Sequence, residues 1–290
     1  MRHTPNNIMV TPCYAPDYER CEQLVRSVNK YVHGIGEHLL IVDKKDIHLF
    51  AHLVEGRTRM ITKESLFSFD LRRFPMQKSY WLVGNTNVTR GWILQQVVKL
   101  AVAYQSQADA IIYADADVMF IDDYDAHSYW QGDTLRLFET MRGPTMRTDR
   151  RYKNWYKSAS DLMSLGPPDK INGAYIAQLN AVRPDSVRQM CDKIEQVVDR
   201  DWQRELLSRL DFSEFILYGS YVRNSDHLLS QHFITDVQRC ASSWFHDIKT
   251  ERDALEFIFE SRRSKCAVHL QSNLGFSPDL LNGELFTSAG

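Results

Sequence analysis

Two aspartates one residue apart, Asp115 and Asp117, interrupt an otherwise apolar stretch of this 290-residue chain. Before them runs Ala110-Ile111-Ile112-Tyr113-Ala114, and after them Val118-Met119-Phe120 and then Asp122-Asp123. A buried carboxylate without a partner is costly. A hard divalent cation such as Mg²⁺ or Mn²⁺ removes that cost, and it commonly joins one or two carboxylates to substrate phosphates. Other chemistries remain open for the pair. One acid could cap the next turn while the other faces water, or Asp115 could act as the nucleophile of a phosphatase.

On a regular strand the two acids would point to opposite faces. They converge only where a strand ends, so the elements before them matter. The stretch Ile8–Thr11 predicts a first strand running into a Pro-containing loop. Cys21, Leu24, Val25, Val28 and Val32 follow at helical spacing. "HLLIVDKKD" predicts a second short buried strand and "RTRMITKESLF" a third. "NVTRGWILQQVVKLAVAYQSQ" is the clearest helix, with Asn87 or Thr89 as its cap and Ile93, Leu94, Val97, Val98, Ala101 and Tyr104 as its apolar face. This alternation predicts an α/β sheet of parallel strands. The acids then fall at the C-terminal edge of the sheet, where such folds bind ligands.

The second half is less regular. A strand is expected at Ala174–Leu179, and a helix over "RPDSVRQMCDKIEQVVDRDWQREL" with Pro184 in its first turn. Further helices are expected from near Ser213 and over "TERDALEFIFESRRS", then a short terminal strand in "KCAVHLQSN". No repeat or low-complexity linker divides the chain, so a single domain over 1–290 is expected.

Composition narrows the function. The chain is 43% hydrophobic and 25% charged, as in ordinary globular proteins, and its net charge is −2. That balance does not favour nucleic acid, whose binders carry a basic face. The five cysteines are odd in number and none is spaced C-x-x-C, which points to free thiols in a reducing cytoplasm. The N-terminus lacks the apolar core of a signal peptide, and no run reaches the roughly 18 apolar residues that span a bilayer. A cytoplasmic protein is expected, with peripheral membrane contact left open.

The stretch "GWILQQVVKLAVAYQSQADAIIYADADVMFIDD", Gly91 to Asp123, resembles the helix-then-DxD core of the GT-A glycosyltransferases. It is similar to bacterial sugar transferases that build surface polysaccharides or decorate other glycans. A phosphatase of the haloacid dehalogenase type writes a related hhhhDxD. That class places the motif at its first strand and needs a later Gly-Asp-x-x-x-Asp element, which is absent here.

The GT-A resemblance implies a Rossmann-like, mostly parallel central sheet flanked by helices, with a nucleotide-sugar half at 1–125 and an acceptor half at 126–290. It implies Mn²⁺ or Mg²⁺, a UDP- or GDP-sugar donor, and a glycan or other small acceptor. A non-catalytic nucleotide-sugar-binding relative is a further alternative.

By the same resemblance, Asp115 lies near the donor ribose or sugar and the metal, and Asp117 binds the metal directly. His269 is the expected late metal ligand, with His246 as its rival. Thr11, Pro12 and Tyr14 would meet the base and ribose. Asp43 would bond the base edge or ribose, or else simply form a turn. Arg90 would meet the diphosphate or donor sugar. Gln95 and Lys99, one helical turn apart and off the apolar stripe, would line the donor pocket or face solvent. Asn172 and Gly173 would approach the donor sugar, unless they only form a turn. Glu214 would be the base of an inverting enzyme, or would complement the dipole of a helix capped by Ser213 or Asp211. Trp81, Trp92, Trp155 and Tyr218 would stack on the acceptor or pack in the core.

Overall fold

Four parallel strands order the molecule. In this computed structural model, which describes residues 4–271 and 274 apart from 76, 78, 85, 86, 142, 169, 170, 172 and 247, Asn7–Pro12 pairs with Glu37–Val42 on one side and Ala110–Tyr113 on the other. Thr58–Thr62 extends the sheet beyond Glu37–Val42, and Ala181–Val182 closes the opposite edge antiparallel to Ala110–Tyr113. The chain is thus mixed α/β, with several two- and three-stranded sheets around this five-stranded one.

Side chains alternate across these strands. Val10, Ile111 and Tyr113 join one apolar cluster, while Met9, Ala110 and Ile112 join another on the opposite face. Both faces are covered, which is why the strands read as continuous apolar runs. Helix Gly91–Gln105 buries Ile93, Leu94, Val97, Val98 and Ala101 in the first cluster. Helix Tyr18–Tyr31 places Leu24 and Val28 in the second.

Three local expectations change. Asn87 and Thr89 do not cap the long helix. Asn87–Arg90 is a strand paired with Tyr80–Val83, and Arg90 is the N-cap, without a side-chain capping bond. The helix expected from Pro184 is two helices, Pro184–Val198 and Trp202–Ser208, because Asp199 turns left-handed at φ 52°. The strand expected at Ala174–Leu179 shrinks to Gly173–Ala174, since the Asn180 amide donates to the Tyr175 carbonyl (2.9 Å) and Leu179 takes φ 58°.

Gly173 makes its close approach to the protein itself. A Cβ there would lie 2.4 Å from the Tyr175 hydroxyl, and a Cβ on Gly219 would lie 2.2 Å from Tyr175 Cγ. The buried Tyr175 ring fills the space both glycines leave. Gly219→Ala is therefore expected to destabilise the chain by about 1–3 kcal/mol, the cost of overpacking a filled core. Urea denaturation would measure it, and an unchanged midpoint would show that the ring moves freely.

Candidate functional site

Three of the four parallel strands deliver charged groups to one edge. Asp43 follows Val42 directly, Lys63 follows Thr62, and Asp115 and Asp117 lie just past Tyr113. The strand ends cleanly before the acids. The Ala114 N–H still donates to the Val10 carbonyl (3.1 Å), and the Val118 N–H closes a turn on the Asp115 carbonyl (3.0 Å).

His269 reaches this turn through strand pairing. Val118–Phe120 leaves the central sheet and pairs antiparallel with Ala267–His269, setting His269 opposite Val118. The Leu270 N–H then donates to the Asp117 carbonyl (3.1 Å). The result is an imidazole Nε2 lying 3.2 Å from Asp117 Oδ2. The other ring nitrogen, Nδ1, bonds Ser242 Oγ at 3.0 Å, which fixes the ring's orientation, and Trp244 packs edge-on at 5.2 Å. The rival, His246, is exposed and sits against Phe257 instead.

Lys99 is the main departure from expectation. It neither faces solvent nor opens into a pocket. Its ammonium is 5% exposed and lies 2.9 Å from Asp115 Oδ1 and 3.1 Å from Glu214 Oε1. The Tyr113 hydroxyl donates to the Lys99 carbonyl at 2.6 Å and ties helix to strand at this level. Burial alone would lower the ammonium's pKa. The two carboxylates outweigh burial and raise it above its ordinary value, so the charge is kept.

Glu214 is as buried as Lys99, at 5% of its side chain. Its N–H donates to Gln96 Oε1 (3.1 Å), and Ser213 makes no capping bond to the helix Glu214–Arg223. Asp211 does not cap it either, being bonded to Arg90 (3.2 Å) and Asn154 (3.2 Å). Glu214 is therefore an internal partner of Lys99, closed to solvent at this helix start. Gln96, one position from the expected Gln95, is the glutamine that enters this network. Gln95 stays half-buried on the helix.

Asp43 and Thr11 are taken up inside the protein. Asp43 is fully buried between Lys63 (2.8 Å) and Arg73 (2.6 Å). Thr11 Oγ1 shares a 2.9 Å hydrogen bond with His38 Nε2 within the sheet. Burial, with Arg57 nearby, pushes the His38 imidazole down to about 3, so it stays neutral. Thr11 is fully buried in the sheet, and two cations already pair with Asp43. Asn172 lies outside the described residues. A cleft of about 500 Å³ opens at this strand end, lined by the acids Asp43, Glu64 and Asp70 as well as by Lys44, Lys45, Arg72, Arg73 and Trp81, with the Arg73 guanidinium 4.8 Å above the Trp81 ring.

Asp17, in the loop after the first strand, was not foreseen as part of this edge. Burial, and next the Asp117 carboxylate, push its carboxyl up to about 6, against the pull of Arg20 and Lys63. The folded chain then holds this proton more tightly than the unfolded chain. Stability must fall as pH rises from about 3.8 to about 6, and stay lower above that. Asp17 makes no side-chain capping bond to helix Tyr18–Tyr31, so an amide loses nothing there. Asp17→Asn is expected to raise the Tm at about pH 8 and to leave it unchanged below about pH 3.8. A Tm that does not move at the higher pH would contradict an acidic field at this edge.

The donor set accommodates a hard cation. Neighbouring ligands of an octahedral ion with bonds near 2.1 Å lie about 3 Å apart. The Asp117–His269 separation of 3.2 Å needs little change to match. A ring held from its far nitrogen is the usual support for a ligating histidine. No group of three or more His, Cys, Asp or Glu forms a complete cage among the described residues. Such a site depends on substrate oxygens and water for its remaining positions, as Mg²⁺ sites commonly do.

No helix among the described residues is long and apolar enough to cross a membrane, and all five cysteines are free thiols. No curated protein matches the chain. A family of unknown function, DUF6492, matches residues 8–283, and the chain belongs to that family.

Proposed function

We propose that this chain is a metal-dependent glycosyltransferase of GT-A type, moving a sugar from a nucleoside-diphosphate sugar to an acceptor hydroxyl. The observation that carries the proposal is the meeting of Asp117 and His269 at 3.2 Å on the C-terminal edge of a parallel sheet. The order of the parallel strands and their antiparallel edge at Ala181–Val182 support the GT-A reading. The free thiols support work in a reducing cytoplasm.

Asp117 and His269 would hold Mn²⁺ or Mg²⁺, with Asp115 alongside. The ion would supply Lewis-acid stabilisation of the charge that builds on the leaving diphosphate. The chain's own residues account for the rest. Lys44, Lys45, Arg72 and Arg73 line the neighbouring cleft together with Asp43, Glu64 and Asp70, and Lys44 and Lys45 are the cations there that could meet an anionic UDP or GDP moiety. Lys99 holds Asp115 in direction through its 2.9 Å contact with Oδ1. Glu214 anchors Lys99 from its far side. Acting as the acceptor's base would require this carboxylate to be freed from its ion pair.

The test is a thermal-shift comparison of UDP, GDP, CDP and TDP, each with and without Mn²⁺. Stabilisation by one nucleotide only when metal is present supports the proposal and identifies the donor class. No metal-dependent shift with any of them refutes it.

A further inference from the structure

The long helix carries a second cluster at its other end. Trp92 is 39% exposed and stacks on Trp155, with ring centroids 5.6 Å apart and planes 22° off parallel. Trp155 meets Tyr152 edge-on at 4.9 Å, and the Arg151 guanidinium lies over both of those rings. Trp92 is left as the solvent-facing end of the stack.

A polar network borders it. Arg90 pairs with Asp211 at 3.2 Å, and the Asn154 amide donates to the second oxygen of the same carboxylate at 3.2 Å. The Arg90 and Asp211 side chains remain 42% and 31% exposed. Two buried donors, Trp155 Nε1 and Arg90 Nε, have no hydrogen-bond acceptor among the described residues. Buried donors normally have partners, so their lack of one points to a ligand or water with oxygens to offer.

This cluster and the lysine that holds Asp115 share one helix. Trp92, Gln96 and Lys99 fall at i, i+4 and i+7 and share one helix face. Seven residues of helix separate Trp92 from Lys99 by about 10 Å, a distance a short glycan bridges. Asp211, which pairs with Arg90, precedes Glu214 by a single turn of chain.

We propose that Trp92, backed by Trp155 and bordered by Arg90, Asp211 and Asn154, holds a pyranose ring of a glycan acceptor. An indole exposed beside hydroxyl-binding groups suits a ligand with one apolar face and a polar rim, which is what a pyranose presents. The assignment of this ring as the acceptor rests on the transferase reading, but the sugar site can be tested without it.

Saturation-transfer NMR on the full chain, with no nucleotide present, provides that test. Cellobiose, maltose, lactose and chitobiose serve as probes against wild type, Trp92→Ala and Trp92→Tyr. Unliganded melting curves check that each variant folds. At least one disaccharide is expected to receive saturation on its ring protons, to lose most of it in Trp92→Ala, and to keep it in Trp92→Tyr. No transfer from any probe to wild type would overturn the proposal, as would equal transfer to wild type and Trp92→Ala. Self-association that depends on Trp92 while saccharides have no effect would overturn it too, in favour of a protein interface. Sugar binding at Trp92 without any nucleotide-dependent stabilisation would uphold this site and refute the transferase reading. Nucleotide stabilisation with no saccharide effect at Trp92 would do the reverse.

Discussion

Asp117→Ala is expected to abolish Mn²⁺-dependent stabilisation by a nucleoside diphosphate and to reduce sugar transfer on the order of 10³-fold. That magnitude follows from losing several kcal/mol of charge stabilisation, at tenfold for each 1.36 kcal/mol. The variant should nonetheless fold. Asp117 is partly solvent-exposed, and its main structural contact, the carbonyl that accepts from the Leu270 N–H, belongs to the backbone and survives the substitution. Removing the side chain leaves His269 held by Ser242 through Nδ1, with Nε2 unopposed. His269→Ala should act in the same direction. The double variant should be little worse than either single one, because the two residues serve one ion. Thermal shift with UDP or GDP, with and without Mn²⁺, checks the binding half, and initial rates check the other. If Asp117→Ala retained a full metal-dependent shift, the ion would be held elsewhere and the proposed role of this edge would fail.

The acids of this edge were legible because they broke an apolar run, and the strand–helix–strand order before them fixed which end of the sheet they would occupy. His269 was legible as a histidine ending a short strand. The register that brings it beside Asp117 arises from pairing between Val118–Phe120 and Ala267–His269, which no local pattern records. The solvent-facing alternative for Lys99 fails for a related reason. Its position off the apolar stripe suggests a solvated face, yet the helix Gly91–Gln105 is covered on more sides than its stripe implies. The partners that make a buried lysine tolerable, Asp115 and Glu214, come from separate segments of chain. Asp43 shows the same effect with opposite charge. It was expected to bond a base edge or ribose, or simply to form a turn, and Lys63 and Arg73 arrive from the next strand and the next hairpin to neutralise it. Thr11 likewise meets a partner from another strand, His38, and its burial follows from the cover on both faces of the sheet.

The largest structural effect is expected from Lys99→Met. The lysine and Glu214 are each 5% exposed, so removing the ammonium leaves a buried carboxylate with its charge uncompensated. Breaking a buried pair from one side costs about 3–5 kcal/mol, a large share of the roughly 5–15 kcal/mol that holds a domain folded. Two further measurements separate this electrostatic cause from a simple packing loss. First, Lys99→Met/Glu214→Gln should be less destabilised than Lys99→Met alone, because the stranded charge is gone. A cavity or shape defect would give no such rescue. Second, the pH dependence has a defined sign. In wild type the Lys99 pKa is raised in the folded state, so its contribution is complete below about 10.5 and is lost as pH climbs above that value. In Lys99→Met the unpaired Glu214 carboxyl should have its own pKa raised by burial. That variant should then regain stability as pH falls toward the ordinary carboxylate range near about 4. Urea denaturation across pH would register both trends. If the single and double variants were equally unstable at every pH, the Lys99 bridge would be only a packing element, and its proposed hold on the direction of Asp115 would lose its basis.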